Sequence, residues 1–439
     1  MNTDEKVIDI LKNSILKAQK IQMKQESGKN IEKIFQILTD FIKKNNYICY
    51  GGTAINNILP KKAQFYDYDT ELPDYDFFSP NALDAAKNLA DIYFKNGFIS
   101  VEAKAGVHEG TFKVYVNYMA IADITFVPTR IFNQLKKDAI TKKGIKYAPP
   151  NYLRMAAYLE LSRPMGDVSR WEKVYKRLNL LNEYYPIKAN NCKPNRLINK
   201  TKNTEDNQII FNTIKDILIK EKCVFFGGFA INKFFELDDL VDKSNNKLPY
   251  FDVLCENSNK VGFKILDTLN ELSITKNIKL IHHDNIGEIL SEHYELIVNN
   301  HSILVLYQPL ACHSYNEIKI NKKTIKIASI ETIFSLYLAF LYVNSSLYNT
   351  HNILCICKLL FDILDKNPTK SKGILKRFPV ACYGKQHGLA FSRALKDRIK
   401  MTVKNKCSEK YQTFHLNYKP FKPDKCNKNR FTKKVKTKN

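Results

Sequence analysis

The chain has 439 residues, 44% of them hydrophobic and 12% aromatic, with a formal net charge of +25. That length supports two or three domains with well-filled cores, and the composition excludes a mostly disordered chain. No run approaches the roughly 20 apolar residues of a membrane helix, and the opening MNTDEKVIDILKNSILKAQK reads as a charged amphipathic helix, not a signal peptide. The expectation is a soluble, cytoplasmic protein without a membrane.

The charge points to a polyanion, because lysines that neutralise phosphates release condensed counterions. Only 10 of the 69 basic residues are Arg, and the chain is rich in Lys, Asn and Ile, so coding bias accounts for part of the excess. The ten cysteines run from Cys49 to Cys426 without a CxxC. Buried free thiols are expected, in place of a zinc site or a disulfide framework.

In chain order, a helical N-terminal region (1–46) comes first. It ends in NIEKIFQILTDFIKKNN, where Ile31, Ile34, Phe35, Leu38, Phe41 and Ile42 recur at helical spacing. The β-prone run YICY follows, then Gly51-Gly52 and the helix TAINNIL. Glycines there permit a tight turn and close backbone approach to an anion, with helix N–H groups aimed at it. Thr53 caps that helix or offers its hydroxyl to a phosphate.

The run DYDFFS at 74–79 starts a strand, and alternation puts Asp74 and Asp76 on one face. Paired carboxylates repel unless cations hold them, and hard oxygen ligands at this spacing suit Mg²⁺ or Mn²⁺. Two-metal phosphoryl transfer needs such a cradle. An earlier pair, Asp67 and Asp69, also forms a DxD. Further on, FKVYVNYMAIADITFVP holds one acid, Asp123, among apolar neighbours, where an unpaired carboxylate is costly.

Next, VSRWEKVYKRL places Val168, Trp171, Val174, Tyr175 and Leu178 on one helical face, which makes Trp171 a core residue. Arg170, Lys173, Lys176 and Arg177 lie elsewhere on the helix, as a solvated basic face or as phosphate contacts. The polar stretch 186–206 reads as a linker.

The sequence then repeats. Residues 51–81 and 227–257 align without a gap at an offset of 176, and nine of 31 positions are identical. The helix and β-prone run before each Gly-Gly recur, and IKYAPPNYLRMAAYLELS matches IKIASIETIFSLYLAFLY at an offset of 180. The LPxxD match between copies selects Asp74 and Asp76 over Asp67 and Asp69. In the second copy Tyr250 replaces Asp74, Asp252 matches Asp76, and anchoring FVP on YQP puts Leu304 at the place of Asp123. One carboxylate cannot hold two divalent ions, so this copy is expected to be inactive, as a scaffold or substrate-binding domain. After about residue 395 the chain carries 15 Lys or Arg against three acids, with Tyr411, Phe414, Tyr418, Phe421 and Phe431 interspersed. Such a tail suits single-stranded RNA; docking on the protein's own surface is the alternative.

The pattern GG[ST], D-x-D and a later strand Asp resembles the polymerase-beta-like nucleotidyltransferase superfamily, over about residues 47–130. The RWxKxxxR run and the duplication extend the resemblance, across about residues 30–380, to the poly(A) polymerase catalytic subunits of poxviruses and giant DNA viruses. That resemblance implies an α/β (α+β) fold of tandem nucleotidyltransferase-like domains, each a mixed sheet flanked by helices: a catalytic domain (47–185), the linker (186–206), a degenerate domain (207–394) and the basic tail (395–439). It further implies that Asp74 and Asp76 hold two ions, and that Asp123 binds the catalytic one and helps deprotonate an RNA 3′-hydroxyl. Gly51, Gly52 and Thr53 would contact the ATP triphosphate, with Arg170, Lys173 and Arg177 as further contacts.

The expected function is template-independent addition of AMP from ATP to RNA 3′ ends in mRNA polyadenylation. The setting would be host cytoplasm or, for a viral protein, the virion. A homodimer or a processivity subunit is left open. CCA-adding, oligouridylating and antibiotic-modifying enzymes share the acid triad, though a small-molecule enzyme needs neither the charge nor the tail. A non-catalytic RNA-binding scaffold conflicts with the intact triad.

Overall fold

The computed structural model describes residues 3–26, 29–66, 73–240, 247–287, 289–343, 347 and 349–427. Asp67, Asp69 and Phe431 lie outside the described residues. Two compact units result: Met1–Pro149 with Leu389–Asn439, and Pro150–Gly388. Among the described residues no helix is long and apolar enough to cross a membrane.

The first unit begins with helices Thr3–Glu26 and Lys29–Lys44. On the second of these Ile31, Ile34, Leu38, Phe41 and Ile42 are buried, as their spacing predicts. Its strands are β1 (Ile48–Tyr50), β2 (Tyr75–Ser79), β3 (Val101–Ala105), β4 (Thr111–Val116), β5 (Met119–Phe126), β6 (Ile140–Lys142) and β7 (Ile145–Tyr147). They lie in the order β3-β4-β5-β2-β1-β7-β6, and strand Asn417–Tyr418 pairs with β3 at the edge. The pairs β2–β5 and β1–β7 are parallel within an otherwise antiparallel sheet.

The second unit contains β8 (Asn199–Lys202), β9 (Val224–Phe225), β10 (Lys247–Pro249), β11 (Phe251–Leu254), β12 (Ile278–His283), β13 (His293–Val298), β14 (His301–Tyr307), β15 (His313–Ile320), β16 (Lys323–Ala328) and β17 (Cys382–Tyr383). Its main sheet runs β12-β13-β14-β11-β9-β16-β15-β17, and β8 and β10 form a separate ribbon. The first seven strands of that order reproduce the seven of the first unit, with parallel pairs at the same two places. The duplication read in the sequence is therefore a duplication of topology. The repeat-related helices Pro150–Leu161 and Ile330–Phe340 both belong to this unit, where Tyr158 stacks on Phe334 at 4.7 Å. Arg154, fully buried on the former, donates to Asn182 Oδ1 at 2.7 Å and also to Asn151 Oδ1 and the Tyr185 carbonyl. The stretch 186–206 contains helix Pro194–Ile198 and β8.

Six cysteines are paired, which overturns the expectation of free thiols for them. The bridges are Cys192–Cys355, Cys312–Cys382 and Cys407–Cys426, with Cα separations of 5.3, 5.2 and 5.1 Å. Cys49, Cys223, Cys255 and Cys357 stay free and buried. Each bridge joins cysteines that the fold brings together, and spacing along the chain cannot disclose such pairings.

His313 is buried in the second unit, and burial, reinforced by Arg163, pushes its pKa down to about 3. The unfolded side chain titrates near 6.5. Between those values the unfolded chain takes a proton that the folded one refuses, so stability rises with pH in that window. It should therefore be lost as pH falls below about 6.5, by up to about 1.4 kcal/mol per pH unit. Urea midpoints should decline from pH 7 to pH 5, and His313→Phe should flatten the decline.

Candidate active site

In the first unit, β1, β2, β5 and β4 place the site on one face of the sheet. Asp76 is register-paired with Asp123 across the parallel strands β2 and β5, with Tyr50 on its other side, and Lys113 on β4 is paired with Asp123. Directly opposed residues point to one face. Phe77, Phe112 and Ile124 alternate to the other face and are buried.

Two carboxylates on adjacent strands repel one another. The Lys113 ammonium answers this by bonding Asp123 Oδ2. Its pKa stands above that of an ordinary lysine: burial acts to lower it, and the contact with Asp123, then Tyr115 and Asp74, outweighs burial. One positive charge is thus held in the field of two of the three predicted acids. Lys113 was missed in the sequence, where a lysine in TFKVYV reads as an outward strand position.

Gly51 lies against Asp76. Its φ is +72°, and a Cβ there would stand 2.6 Å from Asp76 Oδ2. Backbone conformation and space therefore both require glycine. Helix Gly51–Ile58 starts here, and the residue before it, Tyr50, makes no side-chain cap. The capping role read for Thr53 is replaced by another: Thr53 is buried, and its hydroxyl donates to the Asp74 carbonyl. That bond fixes the backbone one residue before β2. Asp74 itself is exposed, and Asp76 and Asp123 are half-buried. Tyr50 stacks on Phe78 at 3.9 Å, and its hydroxyl lies 2.8 Å from Thr125 Oγ1.

Among the described residues no three His, Cys, Asp or Glu side chains are gathered closely enough to hold a metal ion. The donor chemistry nevertheless fits a hard divalent cation: Asp76 and Asp123 stand side by side, and a lysine ammonium already compensates Asp123.

Arg170, Lys173 and Arg177 belong to the second unit. Arg170 and Lys173 are exposed, Arg177 is half-buried, and Arg170 Nε lies 3.2 Å from Glu160 Oε1. Helix Trp171–Tyr184 buries Val174, Leu178 and Leu181, and its Trp171 is half-buried with Nε1 donating to the Glu160 carbonyl at 3.1 Å; Val168, in the 3-10 turn Val168–Arg170 before it, is exposed.

In the second copy the corresponding place is filled. Tyr250, at the position of Asp74, is buried, with its hydroxyl 3.2 Å from that of Tyr337. Burial and the neighbouring Asp252 both push its pKa upward. A Cβ on Gly227 would stand 2.4 Å from the Asp252 nitrogen, and one on Gly228 would stand 2.9 Å from the Tyr250 ring. Asp252 is paired in register with Val305, one residue beyond the Leu304 chosen by alignment, and both are apolar and buried. Asp252→Asn should therefore reduce any activity of the first copy's acids less than about threefold, against a loss of orders of magnitude for Asp76→Asn. Equal losses at unchanged melting temperature would make the second copy catalytic.

The two sheets define the class: a duplicated mixed α/β fold in which the first copy carries Asp74, Asp76 and Asp123 and the second keeps Asp252 alone at the matching places. Residues 36–167 match the family model for the poly(A) polymerase catalytic subunit. A protein of African swine fever virus (strain Badajoz 1971 Vero-adapted) named as such a subunit is 34% identical over 172 residues, covering 38% of this chain and 36% of the relative. One of Acanthamoeba polyphaga mimivirus, named alike, is 31% identical over 188 residues, 42% of this chain and 31% of the relative. The matched region thus spans about a third of these relatives' length. The crystal structure of the Megavirus polyadenylate synthase superposes with a TM-score of 0.81 at 20% identity, over 96% of this chain and 86% of that one, and shares the fold. Through residues 36–167 the chain is related to the poly(A) polymerase catalytic subunits.

Proposed function

We propose that this protein is a template-independent poly(A) polymerase, transferring AMP from ATP to RNA 3′ ends with release of pyrophosphate. The observation that carries the reading is the register pairing of Asp76 with Asp123 at the Gly51 turn, inside the segment that matches the family model. Asp74, Asp76 and Asp123 would hold two Mg²⁺ or Mn²⁺ ions, which when bound supply activation of the attacking hydroxyl and neutralisation of the departing pyrophosphate.

The chain's own groups do the rest. Lys113 pairs with Asp123 and compensates the charge of the carboxylate that would hold a divalent cation. Asp123 is the acceptor for the 3′-hydroxyl proton. Gly51, with no Cβ, lets the triphosphate approach the backbone, and Gly52 lies beside it. Thr53 positions Asp74 through its carbonyl. Arg170, Lys173 and Arg177 remain proposed triphosphate contacts, and the site of action is host cytoplasm or virion. The test is incubation with a short RNA and each NTP separately, with Mg²⁺ or Mn²⁺. Long adenylate tails from ATP alone are expected. Efficient use of CTP or UTP, or no extension by any nucleotide, would overturn the reading.

A further inference from the structure

The second unit has a cavity of about 400 Å³ between helix Glu205–Lys220, the β8–β10 ribbon and the β13–β14 turn, remote in sequence from the acid triad. One wall is aromatic: half-buried Phe211 stacks on Phe251 with ring centroids 4.7 Å apart. Its lining is basic. Lys202 and Lys247 line the cavity, with His301 at the start of β14, and no carboxylate is among the described lining residues. Outside the lining, the Lys215 ammonium lies 5.4 Å from the Phe211 ring centre.

The ribbon carries the decisive feature. Lys202 and Lys247 are direct cross-strand partners. Like charges placed directly opposite destabilise a strand pair, and this ribbon has only two strands to bear the cost. Such a pair is accounted for when an anion lies between the two ammonium groups. An anion there, beside an aromatic wall and an apolar interior, describes a nucleotide: base against Phe211, phosphates on the lysines.

We propose that this cavity binds one nucleotide of the RNA substrate, so that the catalytically silent copy grips the strand on which the first copy acts. The inference rests on RNA being the substrate. Because stacking and phosphate contacts are indifferent to base identity, oligoadenylate and oligouridylate should both occupy it.

The test is the affinity of the full chain for a labelled oligoadenylate, across a salt series. Lys202→Glu/Lys247→Glu should weaken binding about tenfold or more and reduce the salt slope by about 1.4, from two lost phosphate contacts at roughly 0.7 each for a single strand. Phe211→Leu, which keeps an apolar side chain in place, should weaken binding about fivefold or more through lost stacking. Without RNA, Lys247→Ala should raise the melting temperature by relieving the lysine pair, a readout independent of binding. Unchanged affinity and slope in the double variant would overturn the proposal. So would displacement of the oligonucleotide by equimolar AMP, which would make the occupant a free nucleotide. If the unaltered chain fails to bind any RNA, the substrate reading itself falls.

Discussion

Replacing Asp76 or Asp123 by Asn should lower nucleotide addition by at least about 10³-fold, the scale of losing a principal stabiliser of transition-state charge. The same substitutions should leave the fold standing. Asp76 and Asp123 are neighbours in register, so removing one charge relieves a repulsion. The bond lost between Asp123 and Lys113 joins side chains that are 19% and 34% exposed, and a pair so accessible contributes at most about 1 kcal/mol. Melting temperature should therefore move by no more than about 4 °C for a unit of this size. The check pairs single-turnover addition at saturating ATP with thermal melting. Full activity in either variant would remove the acids from the chemistry; a collapse in melting temperature would make them structural.

Much of this site is legible because its chemistry leaves local marks. An acid inside an apolar strand demands a partner, and Asp123 has one in Lys113, whereas Asp74 lies one residue before β2 and not on the strand where alternation puts it beside Asp76. The repeat then shows where the two copies differ, since Tyr250 stands where Asp74 does. What escaped is what depends on register between distant segments. Lys113 acquires a role only when β4 pairs with β5 and brings it onto Asp123. Thr53 looked like a cap, yet its hydroxyl meets the Asp74 carbonyl 21 residues away. Val305 replaces Leu304 because strand pairing, not a shared FVP-like end, decides which residue faces Asp252. The disulfides are the extreme case: Cys192 and Cys355 are 163 residues apart, and nothing local to either announces the other.

The C-terminal segment brings the second large expectation. Its basic and aromatic composition reads as an RNA-gripping tail, but residues 389–427 fold into the first unit. Strand Asn417–Tyr418 extends the sheet beside β3, and Phe414, Leu416 and Tyr418 are buried. The Tyr418 hydroxyl donates to Asp91, and Lys396 donates to the Gly106 carbonyl. Lys87 is buried between Gln412 Oε1 at 2.9 Å and Asp424 Oδ2 at 3.2 Å, and the side chains of that ion pair are only 6% exposed. Breaking a buried pair by removing one partner costs about 3–5 kcal/mol, since the other charge is stranded. Truncation after about residue 400 should therefore lower the melting temperature by about 10 °C or more, with Asp424→Ala alone giving much of the loss. An RNA role for this segment needs a different variant. Lys404, Lys406 and Lys410 are exposed, so changing all three to Glu should leave melting within about 2 °C, as surface substitutions do. If they touch RNA phosphates, that triple variant should also flatten the salt dependence of binding by about two units. A truncated chain that melts like the full one would show the docking to be dispensable. An unchanged salt slope in the triple variant would leave the segment a structural strap and nothing more.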